Sequence, residues 1–154
     1  MKLLLSGSFK KNLGMTLAEL MVAVLFIMVA LVGVLVGYIR CMEWNEMSRA
    51  SETALILSKN RMEAIEDTAF NQIAGTYNNV TFSQGGFNGI GVTYVEDAGA
   101  KLLRVTSSFS WAQKNGRVIG GDRNLNGRYD VGESATNGIL DSPVQLKALF
   151  FDRD

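Results

Sequence analysis

Residues Leu20 to Ile39 are twenty consecutive positions without a charged side chain, and no other feature limits the possible folds so strongly. As a helix the run is about 30 Å long, the thickness of a bilayer's hydrocarbon core. Of the 154 residues, what remains suffices for one small domain of roughly 80 to 110 residues, so a second core is not expected. A secretory signal has a shorter apolar core, about 7 to 15 residues, followed by a small-residue cleavage site. Nothing like Ala-x-Ala follows Ile39, and the segment is read as retained.

The formal net charge is zero but unevenly spread. Lys2, Lys10 and Lys11 are the only charges in the first fourteen residues, whereas Asp122 to Asp154 carries six acids against four bases. Lysines flanking a membrane helix hold their end in the cytoplasm. No basic cluster falls on the predicted domain, so no nucleic-acid footprint is expected there. Cys41 is the single cysteine and excludes an intrachain disulfide; it reads as a small buried or interfacial residue. The absence of histidine removes the commonest general base and zinc ligand. Ser107, Ser108 and Ser110 read as ordinary polar residues of a strand, and no enzyme is expected, because a nucleophile needs a base within reach.

Beyond Ile39 the helical pattern persists. Met47, Ser51, Ala54/Leu55, Ser58, Met62, Ile65 and Ala69 recur at spacings of three and four, with Glu52, Lys59, Glu63 and Asp67 mainly opposite. One helix is expected from about Thr16 to Phe70, ending before Gly75, its first half apolar all round and its second half amphipathic. Strands follow. YNNVTF and GVTYVE are β-prone, EDAGAK reads as a turn, and SQGGFNGIG as a flexible surface connection. KLLRVTSSFSWA alternates, with Leu103, Val105, Ser107, Phe109 and Trp111 on one face and Arg104, Thr106, Ser108 and Ser110 on the other. KNGR gives an Asn-Gly turn, and PVQLKALFF alternates again from Pro143. The expected fold is α+β, a long helix packed on a small antiparallel sheet.

Lys10, Lys11, Gly14, Met15, Thr16, Leu17 and Glu19, followed by the apolar helix, resemble the class III signal of type IV prepilins and type II secretion pseudopilins. The resemblance implies that a membrane-embedded prepilin peptidase cuts between Gly14 and Met15 on the cytoplasmic side and methylates the new amino terminus. It further implies a single-pass inner-membrane protein with an extracytoplasmic domain, later built into a filament with other pilin or pseudopilin subunits. Glu19 answers to this scheme physically. An unpaired carboxylate beside hydrocarbon costs several kcal/mol, and the new Met15 ammonium of a neighbouring subunit would offset that cost while fixing the axial offset. Two departures stand out: Met15 occupies the place usually held by phenylalanine, and the apolar helix has no proline, only Gly33 and Gly37. More weakly, ALILSKNRMEAIEDTAFNQI resembles the helix of minor pilins, in which an Arg/Lys-Met-Glu segment precedes a short break at an aromatic residue, and RVTSSFSW resembles the strand after it.

A second motif is DRNLNGRYDVGE, residues 122 to 133. Asp122, Asn124, Asn126, Arg128, Asp130 and Glu133 fall at positions 1, 3, 5, 7, 9 and 12 of an EF-hand-type calcium loop, with Gly127 at position 6. Calcium takes six to eight oxygens; side chains, the Arg128 carbonyl and a bidentate Glu133 would supply them, Asp130 acting through water. The flanking helices are missing, so the loop is expected within a β-domain, binding a structural ion. ESATNGILD repeats half the pattern, but Ala135 lacks a ligand and no second ion is expected.

These readings divide the chain into a leader (1–14), an assembly helix (15–39), its amphipathic continuation (40–74) and a β-rich domain (75–154). The expected function is that of a minor pilin or pseudopilin. The alternative is a membrane-tethered, calcium-dependent binding module that does not assemble, for which the intact leader would be diagnostic.

Overall fold

The computed structural model describes residues 16–99 and 101–152. By its internal contacts the chain forms two units, residues 1–42 and 43–154. In the first, the described residues belong to the apolar part of helix α1, which spans Leu17–Glu66. Thr16 starts it, its hydroxyl accepting the Glu19 N–H at 3.3 Å. Among the described residues α1 is the one helix long and apolar enough to cross a membrane, and none of its apolar window is buried within the protein.

The second unit is α+β, as expected. After α1 come a short helix α2 (Phe70–Tyr77) and strands β1 (Val80–Phe82), β2 (Gly89–Gly99), β3 (Leu102–Ala112), β4 (Val118–Ile119), β5 (Ala135–Thr136), β6 (Ile139–Leu140) and β7 (Val144–Phe151). The main sheet is antiparallel, ordered β1-β2-β3-β4, with β7 also pairing β3; β5 and β6 form a separate hairpin. Of the predicted stripe, Ala54, Ser58, Met62 and Ile65 are buried. Met47 and Leu55 stay exposed. Ala54 packs with Phe109 and Trp111, and Met62 and Ile65 pack with Val105, so α1 lies along β3 with its C-terminal end toward Leu103. Ser58 and Ser107 are wholly buried, and their hydroxyls have no partner among the described residues. Their small size lets helix and strand backbones approach.

Three expectations need correction. The helix does not run unbroken to Phe70: α1 ends at Glu66, and α2 continues through Gly75 to Tyr77. At the break the Thr68 N–H bonds the Ile65 carbonyl, while the Thr68 and Tyr77 hydroxyls both donate to the Ala64 carbonyl, satisfying the last turn. Second, SQGGFNGIG is not wholly loop, because β2 begins at Gly89. A Cβ on Gly89 would strike Phe109 and Trp111, and one on Gly91 would strike the Phe82 ring, so these glycines make room for the aromatic core. Third, β2 continues through EDAG, with a register irregularity between Asp97 and Gly99, and Lys101, at φ 62°, stands just before β3.

Arg61 lies within the apolar stripe. Its guanidinium stands 4.6 Å from the Tyr77 ring centroid and 5.3 Å from that of Phe82, and its Nε donates to Thr93 Oγ1 at 3.2 Å. Burial lowers its pKa, opposed by the charge interaction with Tyr77. The cation clamps α2 and β1 against the sheet.

Candidate functional site

The polar face of β3 is not solvated. Thr106, Ser108 and Ser110 are buried beneath the segment that joins β4 to β7. Ser108 Oγ and Gln145 Nε2 donate to the Leu140 carbonyl at 2.5 and 3.1 Å, and the Leu140 N–H donates to the Tyr94 hydroxyl at 3.3 Å. The Ser142 hydroxyl donates to the Phe109 carbonyl. Strand side chains thus hold the loop's backbone.

Residues 122–133 begin where Gly120 and Gly121 bring the chain down onto that face. Gly120 has φ +114°, and a Cβ there would collide with Ser110 Oγ; one on Gly121 would collide with the Ser134 carbonyl. The Asp122 N–H consequently reaches Ser110 Oγ at 3.4 Å. Gly127, with φ +74°, is the turn residue that the calcium pattern required, and a side chain there would meet Thr81.

Asp122 is 1 % exposed. Its Oδ1 accepts the Asn126 N–H at 3.1 Å and its Oδ2 the Gly127 N–H at 2.7 Å. Asn124 Oδ1 accepts the Asn126 N–H at 3.1 Å, and Asn126 Oδ1 the Arg128 N–H at 2.7 Å. The two Asn side-chain amides donate to Asp130 Oδ2, each at 2.7 Å. Glu133 closes the loop, Oε1 accepting from the Arg123 N–H and Oε2 from the Asp130 N–H, both at 2.9 Å. The amides of Asn124, then Asn126, hold the Asp130 carboxyl below its ordinary pKa. Burial pushes the Tyr94 phenol up, opposed by its hydrogen bond with Leu140 and reinforced by Asp122 and Glu133.

Asp122, Asn124, Asn126, Asp130 and Glu133 therefore share one hydrogen-bonded loop. Among the described residues no three acids converge as a metal-holding group; the carboxylates are occupied with N–H donors. The donor set is entirely oxygen, as a hard cation requires. Each of these oxygens that accepts one N–H retains a second lone pair.

Sequence reasoning missed the closure by Asp141. Its Oδ2 accepts from Ser134 Oγ at 2.5 Å and its Oδ1 from Thr136 Oγ1 at 2.7 Å, and these hydroxyls, Ser134 first, lower its pKa. Asn137 and Gly138, at φ 54° and 79°, form the tight turn of the β5–β6 hairpin. The half-repeat in ESATNGILD is thus a hairpin with an acid at its base. Also missed was the pairing of Thr16 with Glu19 as one half of a capping box, a signal readable in TLAE. The Glu19 residue is exposed in the first turn of α1. Gly14 and Met15 lie outside the described residues.

Comparison with family models, with curated proteins and with solved structures produced no match for this chain.

Proposed function

We propose that this chain is a prepilin-type filament subunit, a minor pilin or pseudopilin, inserted in the inner membrane, trimmed after Gly14 by a prepilin peptidase and assembled through its apolar helix. The observation that carries the reading is one exposed carboxylate, Glu19, in the first turn of a helix whose next twenty residues have no charge. The capping contact uses the backbone of Glu19 and leaves its carboxylate available. Pairing that carboxylate with the Met15 ammonium of a neighbour sets the axial register of the helices.

The test is the mass of the chain and the yield of filaments. Wild type is expected trimmed and methylated; Gly14→Leu retains the leader; Glu19→Ala is trimmed and inserted but gives no filaments. A trimmed Gly14→Leu chain, or normal filaments from Glu19→Ala, would overturn the reading.

The loop is proposed as a structural calcium site with Asp122, Asn124, Asn126, Asp130 and Glu133 as side-chain ligands and Arg128 through its carbonyl. Calcium would supply a positive centre for carboxylates that now rely on N–H donors, tying the loop down. Three acids and two amides give a modest charge, in keeping with weak extracellular sites of roughly 10⁻⁴ to 10⁻³ M. The exposed Tyr129 and Val131 at the loop's tip favour a second reading, a tethered calcium-dependent binding module, which an untrimmed mature chain would support.

A further inference from the structure

Within the second unit, α1 ends beside a groove of ≈ 640 Å³ bordered by α2 and β7. Its walls include Phe70, Ile73 and Phe150, and Glu66 and Asp67 stand on its rim. Asp152 also borders it but is matched by Lys101, 3.5 Å away. Glu66 and Asp67 have no ion-pair partner among the described residues. The last turn of α1 has no base to offset its carbonyl end.

The opposite end of β3 carries the complement. The turn from Gln113 to Arg117 exposes Lys114 and Arg117, neither ion-paired among the described residues. The turn is braced: the Lys114 N–H bonds a Glu46 carboxylate oxygen at 3.1 Å, the Arg117 N–H bonds Asn115 Oδ1 at 3.0 Å, and the Gly116 N–H bonds the Gln113 carbonyl at 2.9 Å. Eleven strand residues separate the ends, about 35 Å at the usual rise. An acidic patch and a basic turn so far apart on one rigid strand cannot meet within one chain. Two grooves facing each other would set acid against acid, which excludes groove-to-groove pairing; an antiparallel pair, each groove holding the other's turn, would stop at dimers, whereas a head-to-tail contact extends.

We propose that the groove receives the Lys114–Arg117 turn of a second copy of this chain, a head-to-tail contact that propagates instead of closing. The contact rests on the filament reading for the setting in which copies meet, and its own test is separate. In full-length protein with Cys41→Ser, Leu149→Cys on the groove wall and Asn115→Cys in the turn are combined in one chain and oxidised in membranes. The expected result is a disulfide-linked ladder extending beyond dimers, absent from either single variant. Lys114→Glu with Arg117→Glu should reduce the ladder at least tenfold, and adding Glu66→Lys with Asp67→Lys should restore it, which a merely misfolded variant could not do.

No ladder, dimers from Asn115→Cys alone, or loss without restoration would overturn the contact. So would a turn reversal that spares the ladder but abolishes sedimentation with phosphatidylglycerol vesicles, since the turn would then be a membrane contact. The mass of the same sample separates the two proposals: trimmed chains that form filaments without a ladder defeat only the contact, and a ladder of untrimmed chains defeats only the filament reading.

Discussion

Asp122 concentrates the residue-scale physics of this protein, because it is almost wholly buried and is met by N–H groups of Asn126 and Gly127 where a base would be expected. Hydrogen bonds to charged groups contribute about 1.5–3 kcal/mol each, and removing the acceptor strands its donors. Asp122→Ala is therefore expected to lower unfolding free energy by about 2–4 kcal/mol, measurable by urea titration, with Asp122→Asn milder because one acceptor remains. The neighbouring Asp130 and Asp141 are held below the ordinary 3.8 by their amide and hydroxyl donors. A carboxyl whose folded pKa is depressed contributes stability above its unfolded pKa and loses it as pH falls through the folded one. Loop stability is expected to be flat between pH 7 and 5 and to decline below about 3.8, followed by the exchange rates of the Asn124–Asp130 amides. The alternation of Asp and Asn made this loop legible in sequence. The role of Asp141 was not, since its partners are hydroxyls on a hairpin whose fold only the Asn137-Gly138 turn announces.

At the scale of elements, α1 is read from its periodicity, but its contact with the sheet is narrower than the periodic stripe. Hydrophobic spacing says which side can be buried; the length of the sheet determines how much is, and the apolar stripe joins the core at Ala50 and Ala54, in the cluster with Phe109 and Trp111. Ala54→Leu would push a larger side chain against Phe109 and Trp111 and is expected to cost about 1–3 kcal/mol, measured as a lower thermal midpoint with an unchanged helical circular dichroism signal. The break after Glu66 escaped a reading based on proline and glycine, because there the Thr68 and Tyr77 hydroxyls take the Ala64 carbonyl that a continuing helix would offer to the Thr68 N–H. Gly75 read as a stop yet lies inside α2. Gly89 and Gly91 read as loop because their strand role depends on rings from Phe82 and Phe109, contacts no local pattern contains.

For the whole molecule, the α+β arrangement of the second unit follows from alternation in β3 and β7 and the helical stripe, all visible in the chain. The burial of the polar face of β3 was not visible: serines and threonines look solvent-facing until a glycine pair lays another segment over them. If the loop binds calcium with a dissociation constant of about 10⁻⁴ M, a millimolar excess should stabilise the fold by about 1.4 kcal/mol, raising the melting temperature reversibly upon addition and losing the gain with chelator. The absence of any shift at 10 mM calcium would remove the ion from the account. The way this loop is fastened has a further implication. Its anchorage comes from Ser110 on β3 and from the Asp122 and Glu133 carboxylates gripping main-chain N–H groups, whereas Tyr129 and Val131 at its crest are exposed. The crest is accordingly a platform on which side chains can be exchanged at small cost to folding, the natural place for one such chain to acquire a new surface while its architecture stays the same.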